Sequence, residues 1–406
     1  MLGLPTMDGP IAGAMREDTA LARARALLKE VPLLDGHNDL PWAIRSDPQA
    51  RGDVRLYDLN RVHERGDTDI PRLREGMVGG QFWAAFQPTN AAHPARTTLE
   101  QIDVIRRIEE AYPETFYPAR SASDLARAKR AGKIASFIAV EGGVGLEESL
   151  APLRIWQAAG VRMMTLCHNE SLAWVDSATD APRAKGLSAF GRAVIGELNR
   201  LGIVVDCAHV SHEAIRQALD VSVAPIALSH SNAFALCDHP RNAPDDVLTR
   251  LKHNGGIVMA TFVPGFISQP LRDYLAGSRD KYGKAPAGVD PKAALAALEA
   301  QRGPAPRATL EELADHIVYL VETAGVDHVG IGSDFFGGPQ PLGLESVARF
   351  PYLFAELIRR GFAKRALAKI ASGNFLRVLR AVERIGKGLR QEASPRLGRS
   401  EDFPEE

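Results

Sequence analysis

Near residue 35 the chain reads LLDGHNDLPW, which sets an imidazole, His37, and a carboxylate, Asp39, two positions apart at the end of an apolar run. On a strand, residues i and i+2 face the same side, so the two groups are expected to point together. Burying such a pair without a partner is costly, and a metal ion suits both groups. The same pattern, a polar residue closing an apolar run, recurs at Glu141 in SFIAVEGG, His168 in VRMMTLCHN, His209 in GIVVDCAHV, His230 in APIALSHS and Asp334 in HVGIGSDFF. Imidazoles and carboxylates without thiolates suit zinc, manganese or cobalt. His37, Asp39, Glu141, His209 and His230 are more ligands than one tetrahedral zinc with an open position needs. They suffice for two Zn2+ ions, or other divalent metals, if Glu141 bridges them. A hydroxide shared by two such ions would be a nucleophile at neutral pH.

Bringing these residues together requires a particular frame. The strand-like runs VPLLDGHND, GGQFWAAF, IASFIAVEGG, VRMMTLCHN, GIVVDCAHV, APIALSHS, GGIVMATF and HVGIGSDFF alternate with segments of helical periodicity such as TTLEQIDVIRRIEEAY and TLEELADHIVYLVETAG. Strand and helix alternating eight times predict an α/β fold, a (β/α)8 TIM barrel of the metal-dependent hydrolase type, whose strand C-termini converge on one face. A doubly wound open sheet is the alternative, but no G-x-G-x-x-G follows any strand. Asn242 with Pro244 and Asp245 reads as a helix start, the Asn as its cap. The other histidines (His63, His93, His212, His239, His253, His316 and His328) fall on helices, loops or strand starts and are expected to be structural or exposed.

The barrel is expected over residues 31–385, after an N-terminal helical or flexible segment at 1–30 and before a C-terminal tail at 386–406. Residues 45–76 should wrap the exit of the first strand. An insertion at 264–307, carrying Tyr274 and Tyr282, stands where a lid over the catalytic face would, or is a solvated spacer. A formal charge of −1 gives no basis for a nucleic-acid or anionic-membrane partner. Three scattered cysteines (Cys167, Cys207 and Cys237) make no disulfide framework. They point to a reducing, cytoplasmic location, with no secretory leader, membrane span or lipid-anchor signal in view.

In the order and spacing of DGHNDLPW, VEGG, TLCHN, LGIVVDCAHVS, PIALSHSNA, HPRNAPDDVL, HVGIGSDF and GNFLRV, the chain resembles the membrane (renal) dipeptidase family of zinc dipeptidases. The resemblance implies one zinc at His37, Asp39 and Glu141 and a second at Glu141, His209 and His230. It also implies that His168 steadies the substrate carbonyl oxygen and Arg241 holds the substrate carboxylate, with Asp334 an acid near the bridging water. A homodimer is implied too. The chain departs from the mammalian members in lacking their disulfides and lipid anchor, the histidine after the paired glycines, and Asn/Tyr-rich sequence at Val263 and Pro264. The expected function is therefore metal-dependent hydrolysis of dipeptides. The rivals are a binuclear amidohydrolase acting on N-acyl amino acids or lactams, and a non-catalytic barrel that only binds.

Overall fold

The computed structural model describes residues 18–64, 66–276 and 291–404. Eight parallel strands run side by side in the order β1 (Leu33–Asn38), β2 (Val78–Phe86), β4 (Ile134–Glu141), β5 (Val161–Thr165), β6 (Val204–Asp206), β7 (Ala227–Leu228), β8 (Ile257–Ala260) and β9 (Val329–Ile331). A further short strand, β3 (Phe116–Pro118), pairs with β4 off this path and was not expected from the sequence. The sheet closes where β1 meets the end of β9. Asp39 N–H donates to the Phe335 carbonyl at 2.9 Å, and Asp334 N–H to that of His37 at 3.2 Å. The architecture is the expected (β/α)8 barrel.

Strands buried on both faces read as continuous apolar runs, and IASFIAVE of β4 is buried throughout. Its alternation still sorts the two faces. Ala135, Phe137 and Ala139 join Phe82, Met163, Val204, Ala227, Ile257 and Met259 in one cluster, while Ile134, Ile138 and Val140 pack in the other, with the helices. We take the first cluster as the barrel's interior. The long helix Asn374–Glu392 plugs one end of it, with Phe375 5.0 Å from Phe82, itself stacked on Phe137 at 4.7 Å. Glu141 continues the inward alternation, so it emerges at the opposite end.

Several boundaries differ from the reading of the sequence. Only His37 and Glu141 lie within their strands. Asp39 follows β1 and opens the helix Leu40–Ser46, while His168, His209, His230 and Asp334 stand two or three residues past their strands. Strand alternation therefore does not explain why His37 and Asp39 point together; the turn into that helix does. Asn242 is not a helix cap. The helix Asp245–Asn254 starts after Pro244, and the Asn242 amide instead donates to the carbonyls of Cys237 and Phe266. Residues 45–76 form short helices, Val54–Tyr57 and Ile70–Glu75 among them. In this stretch Asp67 accepts from Phe336 N–H at 3.0 Å, bracing the loop after β9.

The final helix runs on past residue 386 to Glu392. The chain after it lies along the barrel wall, with Gly398 accepting from Leu150 N–H, Ser400 N–H donating to the Glu148 carbonyl and Phe403 against Phe190. Of the anticipated lid, the helices Pro264–Ile267, Gln269–Leu275 and Pro291–Arg302 are described. Its centre, including Tyr282, lies outside the described residues, as do residues 1–17 of the N-terminal segment.

Candidate metal centre

Glu141 is 3% exposed and its two oxygens face different partners. Oε2 lies 3.4 Å from His37 Nε2, whereas Oε1 lies 3.2 Å from His209 Nε2 and 3.7 Å from His230 Nε2. Asp39 Oδ2 approaches His37 Nε2 at 3.6 Å and Asp334 Oδ1 approaches it at 3.9 Å. The seven side chains anticipated from the strand-end pattern thus meet in one cluster. Ligand-capable atoms lie within 4.8 Å of one another in three overlapping sets: His37, Glu141 and His230; Glu141, His168 and His209; and His37, Asp39 and Asp334. These sets do not divide as the anticipated pair of sites does, since His230 also packs on His37, ring centroids 4.0 Å apart.

The loops that carry the cluster are strained. His209, Asp334 and Phe336 adopt φ of 70°, 65° and 67°, the left-handed region that side chains with a Cβ avoid. Such strain persists only where surrounding contacts impose it. At Asp334 those contacts are the Asp67 bond to Phe336 and the hydrogen bonds of Ser333 to buried Asp35, 2.8 Å through N–H and 2.6 Å through its hydroxyl. Gly337 completes the loop, because a Cβ there would come within 2.1 Å of Asp334 Oδ1.

Burial acts on His37, Asp334, His168, His209 and Arg241, and neighbouring charges reinforce or oppose it. It pulls the His37 imidazole down, but Glu141 and Asp39 outweigh it and hold His37 well above its ordinary value. Burial pushes Asp334 well up, with Asp39 and Glu141 adding to the effect against His37. Burial and the positive charge of Arg241 bring His168 down to about 4 and hold His209 well below its usual range. Burial lowers Arg241 itself to about 10.

Arg241 is 4% exposed, and among the described residues its Nε and Nη1 have no hydrogen-bond partner; Nη2 reaches only the His230 carbonyl, at 3.4 Å. Phe266 lies under the guanidinium at 5.3 Å. His168 is half-buried between Phe86 and His209, at centroid distances of 4.7 and 4.3 Å.

Metal ions fit this cluster. Nδ1 and Nε2 of His37 and Nε2 of His230 are buried with no hydrogen-bond partner among the described residues. Each such atom costs about 1–3 kcal/mol if left unsatisfied. Three buried carboxylates, Asp39, Glu141 and Asp334, crowd the same point and call for cationic charge. The donor set is nitrogen and oxygen only, as hydrolytic zinc sites use.

Sequence reasoning passes over the residues that brace the cluster: Ser333 and Gln81, both donating to Asp35, Asn169 beside His209, and Ser229 with Asp206 behind His230. One signal for them is present, an isolated acid inside each of two apolar runs, Asp35 in LLDGH and Asp206 in IVVDCAH.

A parallel eight-stranded barrel with imidazoles and carboxylates gathered at its strand C-termini defines a metal-dependent hydrolase. The signature of the membrane dipeptidase family, peptidase family M19, matches residues 21–393, and the chain belongs to that family of metallo-dipeptidases. The probable dipeptidase PvdM from Pseudomonas aeruginosa is 27% identical over 90% of this chain and 99% of its own, with a TM-score of 0.78. Two further structures share the fold at 23% identity. A metallo peptidase from Rhodobacter sphaeroides, liganded with a phosphinate mimic of the dipeptide L-Ala-D-Ala, covers 87% of this chain and 99% of its own at a TM-score of 0.70. The dipeptidase AC, a metallo peptidase of family M19, covers 87% and 98% at 0.71. Among the described residues no helix is long and apolar enough to cross a membrane.

Proposed function

We propose that the protein hydrolyses dipeptides with two zinc ions, one held by His37, Asp39 and Glu141 and the other by Glu141, His209 and His230. The observation that carries this reading is the split aim of Glu141, one oxygen towards His37 and the other towards His209 and His230. When bound, the zinc ions would acidify a water into a nucleophile at neutral pH and polarise the scissile carbonyl.

The chain's own residues do the rest. Arg241 has Nε and Nη1 unpartnered among the described residues and only one long bond from Nη2, so its Nη1/Nη2 edge can serve as a planar fork for the two oxygens of a C-terminal carboxylate. Anchoring that group deep in the site excludes longer peptides. His168 donates an N–H to the oxygen that gains charge as the carbonyl is attacked. Asp334 accepts the proton of the attacking water and delivers it to the departing amine nitrogen. The reading includes a homodimer, checked by light scattering, and a reducing compartment, supported by three buried free cysteines.

The test is metal analysis of the purified protein. It is followed by assays on Ala-Ala, L-Ala-D-Ala, Ala-Ala-Ala and N-acetyl-Ala, before chelation, after it and after zinc is restored. Zinc-dependent cleavage of the dipeptides alone is expected. Preferential cleavage of N-acetyl-Ala would favour the amidohydrolase alternative. Protein that holds no metal and stays inactive with added zinc would be a binding barrel.

A further inference from the structure

His230 is the most enclosed member of the cluster, with no exposed surface, and its far nitrogen leads into a chain of hydrogen bonds running down the barrel. Nδ1 lies 2.8 Å from Ser229 Oγ, and Ser229 Oγ lies 2.6 Å from Asp206 Oδ2. The same Oδ2 accepts from Thr165 Oγ1 at 2.6 Å, while Oδ1 accepts from the backbone N–H groups of Ser229 at 2.8 Å and Ala208 at 3.1 Å. Asp206 is fully buried at the end of β6, Thr165 ends β5 and Ser229 follows β7. The three residues form a polar layer across neighbouring strands.

Proton counting along this chain leaves one arrangement. A carboxylate only accepts, so the single Ser229 proton is committed to Asp206. Ser229 Oγ can then only accept from His230, so the imidazole proton sits on Nδ1. Nε2 is left with its lone pair, and Nε2 is the atom aimed at Glu141 with no partner of its own. We infer that Asp206 and Ser229 are positioning residues that lock His230 as the Nδ1–H tautomer, presetting its Nε2 as a metal donor. His209 is steadied by a neutral group, with Asn169 Oδ1 3.2 Å from Nδ1, and His37 Nδ1 has no hydrogen-bond partner among the described residues. The carboxylate-backed lock therefore belongs to His230 alone of the three.

The inference rests on the reading that His230 holds a metal ion, but its test needs no turnover. In the full chain, Ser229→Ala is expected to weaken one of two zinc sites by about 10- to 100-fold, as loss of such outer partners does, read by competition with a chromogenic chelator. Thr165→Val removes a donor to the same carboxylate but spares the Ser229–His230 bond, and should change affinity less than about threefold. In chelated, 15N-histidine-labelled wild type, His230 should show an Nδ1-protonated ring, and Ser229→Ala should lose that fixed tautomer. Wild-type zinc affinity in Ser229→Ala overturns the inference, as do equal losses in both variants or an Nε2-protonated His230 in the wild type. Should Ser229→Ala fail to fold, the wild-type spectrum decides. A wild type that binds zinc and leaves dipeptides intact sinks the proposed activity and not this lock.

Discussion

Replacing Arg241 by Met keeps the length and apolar stem of the side chain and removes its charge and fork. Among the described residues Nε and Nη1 of the guanidinium have no partner and Nη2 makes one long bond to the His230 carbonyl, so a carboxylate on the Nη1/Nη2 edge would gain two charge-assisted hydrogen bonds. Each is worth about 1.5–3 kcal/mol, and desolvating the substrate carboxylate offsets part of the sum. A loss of about 2–4 kcal/mol remains, in the range for truncating one partner of a buried charge pair, which is a fall of about 30- to 1,000-fold in kcat/KM on Ala-Ala. Zinc content should not change. The sharper assay compares Ala-Ala with its C-terminal amide. Wild type should prefer the free acid strongly, and Arg241→Met should treat the two alike, because the discriminating partner is gone. Undiminished kcat/KM on Ala-Ala, or an unchanged preference for the acid in the variant, refutes the assignment of Arg241 to the carboxylate.

Three other outcomes are expected. Glu141→Gln should release both metals rather than one, seen as loss of all tightly held zinc by elemental analysis; retention of one equivalent would mean that Glu141 does not bridge. Gly337→Ala should displace the Asp334 carboxylate, lowering kcat at least tenfold with little change in Tm, and wild-type kcat would show that the loop accommodates the methyl group. The third concerns pH. His168 titrates at about 4 when folded and near 6.5 when unfolded, so between these values the unfolded chain binds more protons. Its contribution is complete above about pH 6.5 and is lost as pH falls towards 4, about 3 kcal/mol in all. Urea titrations of the chelated protein should therefore show wild type losing that much relative to His168→Gln across this window. Parallel pH curves would contradict the burial of His168.

Much of this architecture is legible in the residues themselves because parallel barrel strands are wrapped on both faces. A run such as IASFIAVE stands out, and a charged group at its end is conspicuous. Glu141, His209 and His230 were accessible in that way. Arg241 was not: a loop arginine looks solvated in sequence, and its enclosure depends on Phe266 and the His230 loop, brought in by the fold. The short helices of residues 45–76 and strand β3 are likewise set by what they pack against rather than by their own periodicity. Asn242 shows the reverse error, since its capping signature is outbid by two distant carbonyls. Ser229 and Asp206 are tied to His230 by a chain of hydrogen bonds that only the folded barrel assembles.

The seam between the first and last barrel strands has a consequence for biosynthesis. Asp35 and His37 emerge from the ribosome almost 300 residues ahead of Ser333 and Asp334, their partners across that seam. A chain translated as far as the eighth strand already contains all three histidines yet still lacks Asp334. On the proposed mechanism, in which Asp334 moves the proton, hydrolytic competence would be withheld until synthesis is nearly finished, and a truncated product lacking the ninth strand would be inert.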